Sequence, residues 1–127
     1  MSETIVSVRY MVNNVEAAVE WYTKHLGFSL LSNHAPAFAR VARGPLHLLL
    51  SGPTSSAGRP MPDGEQPGPG GWNRIHLIVD DLPAEVVRLR AVGVQFRNEI
   101  VTGPGGSQIL LIDPSENFVE VFQPAGP

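Results

Sequence analysis

The sequence predicts an α+β fold built from two βαβββ modules. Three observations carry this. The segment "SVRYMVNNVEAAVEWYTKHLGF", starting at Ser7, and the segment "RIHLIVDDLPAEVVRLRAVGVQF", starting at Arg74, repeat one pattern of strand, polar cap, helix and glycine. Each copy is followed by three short strand-like runs. Between the copies lies 52–72, in which eleven of 21 residues are Gly or Pro, so it cannot be the interior of an element. The boundaries are 1–51 for the first module, 52–72 for the loop and 73–127 for the second module, together one structural domain. A loop of that length in a small chain is functional or disordered.

The elements follow in order. Each copy opens on a short alternating strand. Asn14 and Asp81 then provide N-caps, because a side-chain oxygen can accept from the first free backbone donors of a helix. Val15, Ala18, Val19, Tyr22 and Leu26 fall on one helical face, as do Leu82, Val86 and Leu89 in the second copy. Gly27 and Gly93 suit the left-handed position that ends a helix. Strands are expected at about 28–34, 37–43 and 46–51, then at about 96–102, 107–112 and 117–123, separated by "APA", "RGP", "GPGG" and "DPSEN".

Bulk properties narrow the function. The chain has 127 residues, 43% of them hydrophobic, with a net charge of −3 and no basic run, so nucleic acid is not an expected partner. There is no cysteine, which excludes disulfides and thiolate chemistry. No run approaches the roughly 20 apolar residues of a membrane span, and "MSETIVSVRY" lacks a signal-peptide pattern. A cytoplasmic, soluble protein with no membrane partner is expected. Eight arginines against the single Lys24, with abundant Gly, Pro, Ala and Val, hint at a GC-rich bacterial genome.

Side chains two apart on a strand share a face. With Val8, Tyr10 and Val12 toward the first helix, Ser7, Arg9 and Met11 point away from it. Leu46, Leu48 and Leu50 form one face of their strand, and His47 and Leu49 the other. With Ile75, Leu77 and Val79 toward the second helix, Arg74, His76 and Ile78 point away. Phe118, Glu120 and Phe122 share a face of the last strand. Glu120 is the conspicuous residue. A carboxylate in a largely buried strand costs roughly several kcal/mol unless it is paired, protonated or bound to a metal. An ion pair with Arg74 or Arg9 is the preferred answer.

The stretches "NNVEAAVEWYTKHLGF", "VDDLPAEVVRLRAVGVQF" and "DPSENFVEVFQP" resemble the vicinal-oxygen-chelate superfamily of glyoxalases, bleomycin-resistance proteins and extradiol dioxygenases. The resemblance covers nearly all of the chain apart from the loop. It implies curled mixed sheets around a shared cavity and a homodimer whose cavity draws on both chains. In metal-dependent members it implies four ligand positions, which here are Ser7, His47, Arg74 and Glu120. Ser7 and Arg74 depart from the His, Gln or Glu expected there, and arginine cannot ligate.

The favoured reading is therefore a metal-free protein of the bleomycin-resistance type, without a cofactor, that sequesters an aromatic or peptide-like natural product. Its ligand-binding residues would be Arg9, Met11, Phe38, His47, Trp72, Arg74, His76, Phe118, Glu120 and Phe122. The aromatic rings supply flat apolar surface, and the arginines stack on a ligand or bind its anionic groups. Trp72 closes over the mouth of the cavity or plugs a gap under the loop. The alternative is a glyoxalase-, epimerase- or dioxygenase-type enzyme holding a divalent metal through His47, His76 and Glu120. His76 stands two residues from the expected ligand position, which makes coordination beside Glu120 awkward. A third reading makes Glu120 a general base in a metal-free enzyme, and an arginine partner weakens it. Trp21 and Tyr22 belong to the core or to a dimer contact. His25, His34, Arg88, Arg90 and Arg97 are expected at the periphery, and a helix cap explains the adjacent carboxylates Asp80 and Asp81 better than catalysis does.

Overall fold

The computed structural model describes residues 4–126. The chain divides between Gly70 and Gly71 into two compact units. The first contains β1 (Val6–Met11), α1 (Val15–His25), β2 (Ser29–His34), β3 (Phe38–Arg43) and β4 (Leu46–Ser51). The second contains β5 (Ile75–Ile78), α2 (Leu82–Ala91), β6 (Gln95–Phe96), β7 (Val101–Gly103), β8 (Gly106–Ile112) and β9 (Phe118–Pro124). Each unit is one mixed sheet with one helix, ordered β1-β4-β3-β2 in the first and β5-β9-β8-β6 in the second, where β7 also pairs with β8. The first and last strands of each unit run parallel, and the other pairs are antiparallel.

The helix boundaries follow from their caps. Asn14 Oδ1 accepts from Ala17 N at 3.0 Å, and Asp81 Oδ1 accepts from Ala84 N at 3.0 Å, so each side chain satisfies a donor the helix leaves free. Both helices stop where a glycine turns left-handed, Gly27 at φ 70° and Gly93 at φ 85°. After α2, Gly93 N donates to Arg90 O and Val94 N to Leu89 O, the paired bonds of a Schellman stop.

Each helix covers one face of its own sheet. In the first unit Tyr10, Val41, Leu48 and Leu50 are buried with Val15, Ala18 and Tyr22 of α1. Tyr22 is fully enclosed, with its ring edge-on to those of Tyr10, Trp21 and Phe28. In the second unit Ile75, Leu77, Ile109, Leu111, Val119 and Val121 are buried with Leu82, Val86 and Leu89. The alternation read from the sequence therefore holds, and the opposite face of each sheet is free of its helix.

One strand differs from expectation. The run 96–102 is broken into β6 and β7. Phe96 pairs with Leu111 and Val101 with Gln108, so four residues, 97–100, stand against two on β8. Asn98 explains the break. Its side-chain Oδ1 accepts from Leu110 N at 2.9 Å, taking the place of a backbone carbonyl, while Arg97 N donates to Leu110 O. The segment 52–72 contains a 3-10 turn, Ser56–Gly58, and local bonds such as Ser55 Oγ to Gly52 O and Gln66 Nε2 to Gly58 O.

The β8–β9 hairpin is set by Asp113, which is 3% exposed. Its Oδ1 accepts from Ser115 N at 2.8 Å and Asn117 N at 2.9 Å, and its Oδ2 from Asn117 Nδ2 at 3.2 Å. Glu116 takes a left-handed φ of 66° within this turn. Removing the carboxylate leaves buried N–H groups without an acceptor. Asp113→Ala should cost about 2–3 kcal/mol and lower the melting temperature by on the order of 10 °C, read by circular dichroism. Asp113→Asn keeps an acceptor and should lose clearly less, and Asp80→Ala, exposed beside the α2 cap, should change little.

Candidate functional site

The helix-free face of the second sheet surrounds Glu120. In the parallel pair β5–β9, His76 lies opposite Glu120 and Ile78 opposite Phe122. In the antiparallel pair β8–β9, Leu110 lies opposite Glu120 and Gln108 opposite Phe122. Glu120 is 7% exposed, so its charge needs partners. Arg74 supplies the main one. Its Nε and Nη2 both donate to Glu120 Oε1, at 3.0 and 2.8 Å, and its Nη1 donates to Trp72 O at 3.1 Å. The expected ion pair is present, and Arg74 is the arginine that makes it.

His76 also reaches Glu120. The two-residue displacement from Arg74 makes metal coordination beside Glu120 awkward, but the imidazole is close, with Nε2 3.3 Å from Glu120 Oε2. The cause is register. Proximity to Glu120 is decided by the cross-strand partner, which is His76, whereas Arg74 precedes β5 and reaches Glu120 by its length. The two carboxylate oxygens are thus divided between a guanidinium and an imidazole.

Aromatic rings flank this pair. His76 is stacked at a tilt on Phe122, with centroids 4.8 Å apart, and Trp72 on Phe118, at 5.0 Å. Trp72 is 63% exposed, so it is a surface ring against Phe118 and not a buried plug. Arg97 was expected at the periphery. It is exposed, but its guanidinium carbon lies 6.0 Å from the centre of the Trp72 ring, which places it beside the site. Arg88 and Arg90 pair with Glu85 and Glu99. His34 is exposed against Phe38, and His25 lies beside Trp21.

The corresponding face of the first sheet holds Ser7, Arg9 and Met11 on β1, His47, Leu49 and Ser51 on β4, and Phe38, Arg40 and Ala42 on β3. Arg9 Nη1 donates to Ser51 Oγ at 3.0 Å. Arg40 Nη1 donates to Ser7 Oγ at 3.2 Å and lies 3.1 Å from His47 Nδ1. Arginine only donates, so Nδ1 is the acceptor and His47 carries its ring proton on Nε2. Sequence reasoning missed Arg40. The signal was available, since Arg40 lies two residues from Phe38 on the same strand.

The internal repeat aligns the two faces. Ser7 matches Arg74, so Arg9 matches His76, Leu49 matches Glu120 and Arg40 matches Leu110. The row Arg9–Leu49–Arg40 in one sheet stands where the row His76–Glu120–Leu110 stands in the other.

In metal-dependent members of the family that the sequence resembles, the ligand positions would be Ser7, His47, Arg74 and Glu120. Of the four positions, Arg74 is itself a cation. Glu120 Oε1 already accepts two of its N–H groups. Ser7 Oγ and His47 Nδ1 are both engaged by Arg40. Every position is an arginine or is bonded to one, and a guanidinium both lacks a lone pair and repels a dication. The side chains do not fit a divalent ion. Among the described residues no group of three or more His, Cys, Asp or Glu could hold one.

Comparison with known proteins agrees with this architecture. The fold is shared with lactoylglutathione lyase from Agrobacterium tumefaciens, at 20% identity and a TM-score of 0.76, covering 97% of this chain and 95% of that one. It is also shared with TioX from Micromonospora sp. ML1, at 17% identity and a TM-score of 0.77, covering 97% and 100%. TnmS3 from Streptomyces sp. CB03234, described as an antibiotic binding protein, is 25% identical with a TM-score of 0.73 over 98% of both chains. No curated protein matches. The model of the Glyoxalase/Bleomycin resistance protein/Dioxygenase superfamily matches residues 4–121, and the chain belongs to that superfamily.

Proposed function

We propose that this chain is a metal-free binding protein of the bleomycin-resistance type. It sequesters an aromatic or peptide-like natural product without transforming it, acts in the cytoplasm and works as a homodimer. One observation carries the reading: all four positions that would ligate a metal are arginines or are bonded to arginines. What remains is a surface suited to holding a flat ligand. Trp72 on Phe118 and His76 on Phe122 offer exposed or half-buried rings, and the part-buried ion pair with Arg74 keeps Glu120 from repelling an electron-rich ring. The antibiotic-binding description of TnmS3 points the same way.

The enzyme reading has one observation in its favour, the 3.3 Å approach of His76 to Glu120. An imidazole beside a carboxylate is half of an open metal site. Arg74 on the same carboxylate stands against it.

Metal analysis separates the two. Protein without an affinity tag should carry only sub-stoichiometric Ni, Zn, Mn or Fe by plasma mass spectrometry, before and after a mild metal load, and Glu120→Gln should be indistinguishable from wild type. Stoichiometric metal that disappears in Glu120→Gln would overturn the reading.

Ligand titration tests the positive side. In a Trp21→Phe background Trp72 is the remaining tryptophan reporter. Across a panel of polycyclic aromatic and peptide antibiotics, at least one should quench it saturably with Kd on the order of 1 μM or tighter, about −8 kcal/mol. The ligand should be recovered with unchanged mass. Arg74→Ala removes the partner of a buried carboxylate, so it should both weaken that binding and destabilise the fold by about 2 kcal/mol. Arg74→Ala combined with Glu120→Leu should recover most of the stability in a denaturant titration.

A further inference from the structure

Arg9, Arg40 and Arg74, on the helix-free faces, use their guanidinium groups differently. A guanidinium has one edge, Nε–H with an Nη2–H, that matches the two oxygens of a carboxylate in parallel bonds. In Arg74 both of these nitrogens are spent on Glu120 Oε1. In Arg9 the sole side-chain bond among the described residues is from Nη1 to Ser51 Oγ. In Arg40 both contacts, to Ser7 and His47, are from Nη1. The Nε–Nη2 edges of Arg9 and Arg40 therefore have no protein acceptor among the described residues, and neither arginine has a carboxylate partner there. Ser7, His47 and Ser51 are neutral in these contacts, so they orient the two cations without compensating them.

Placement adds to this. Arg9 and Arg40 both lie opposite Leu49, one on each neighbouring strand, so their backbones are about 10 Å apart with an apolar side chain between them. Met11 and Phe38 lie on the same face, each opposite Ser51. His47 adds an Nε2–H donor beside Arg40. The face combines two free guanidinium edges with an apolar floor.

We infer that Arg9 and Arg40 form a carboxylate subsite, so that the chain takes an acidic aromatic ligand in preference to a neutral one of the same shape. Arg74, which resembles them in sequence, is not part of this subsite because Glu120 occupies it. The inference rests on the reading of the chain as a small-molecule binder and specifies the class of ligand.

The test uses a matched pair of probes, naphthalene-2-carboxylate and naphthalene-2-carboxamide, which share size and aromatic surface and differ in charge. Both are titrated into the 127-residue chain and followed by heteronuclear NMR, including the arginine Nε–Hε resonances. The carboxylate should bind roughly tenfold tighter than the amide or more. It should shift the Nε–Hε signals of Arg9 and Arg40 but not that of Arg74. The double variant Arg9→Gln/Arg40→Gln should reduce the carboxylate to the affinity of the amide and leave the amide unchanged, which also shows that the fold survives. Arg88→Gln, on α2 and paired with Glu85, should change neither. Equal affinity of acid and amide for wild type, or a preference that persists in the double variant, overturns the inference and leaves the binder reading intact. If neither probe binds, the inference is overturned, and the binder reading stands or falls on the antibiotic titration alone.

Discussion

Glu120 occupies a position that the rest of the second unit has to accommodate. A carboxylate 7% exposed on a central strand must be paired or it destabilises the sheet. Arg74 does this from just before β5, and the geometry constrains the chain on both sides. Upstream, the guanidinium holds the Trp72 carbonyl, so the indole is delivered onto Phe118. Gly70 and Gly71, at φ 111° and 90°, give the backbone the turn it needs to arrive there. On the other side, the Asp113–Asn117 turn fixes where β9 begins against β8, and so places Glu120 opposite Leu110 on the helix-free face. One ion pair thus links a loop end, a hairpin and the exposed aromatic face.

Much of this was legible in the sequence because it depends on short-range rules. Caps at Asn14 and Asp81, stops at Gly27 and Gly93, and period-two alternation in β1, β4, β5 and β9 need only local chemistry and a repeat. The pairing of Glu120 with an arginine followed from the cost of a buried charge. What was not legible lies in relations between strands. The 3.3 Å approach of His76 to Glu120 is a matter of cross-strand register, which counting along β5 does not show. The break between β6 and β7 depends on Asn98 bonding to a strand it is remote from in sequence. Arg40 is not marked by the family's ligand positions, none of which lies on β3, and its role rests on the cross-strand contacts to Ser7 and His47.

The duplicated scaffold is used in two electrostatic states. In the second sheet the row His76–Glu120–Leu110 is closed on itself, its charge matched by Arg74. In the first sheet the equivalent row Arg9–Leu49–Arg40 is open, with cations held in place by neutral hydroxyls and an imidazole. Both states are stable for the same reason, applied at different exposures. Glu120 is buried and cannot be left to water, so the protein supplies its counter-charge. Arg9 is exposed and Arg40 half-buried, so the protein need not supply a counter-charge for either.

That difference has a consequence for selectivity. An apolar ligand laid across Leu49 must strip water from both guanidinium edges, and unless it brings an acceptor those donors are left unsatisfied. The same ligand laid across Glu120 strips little, because the carboxylate is already desolvated and paired. On the proposed function, the second sheet would tolerate neutral aromatic surface, while the first would penalise it and reward a carboxylate. Discrimination by charge would then lie with Arg9 and Arg40, which have no carboxylate partner among the described residues, and affinity for flat rings beside Glu120, whose charge Arg74 matches.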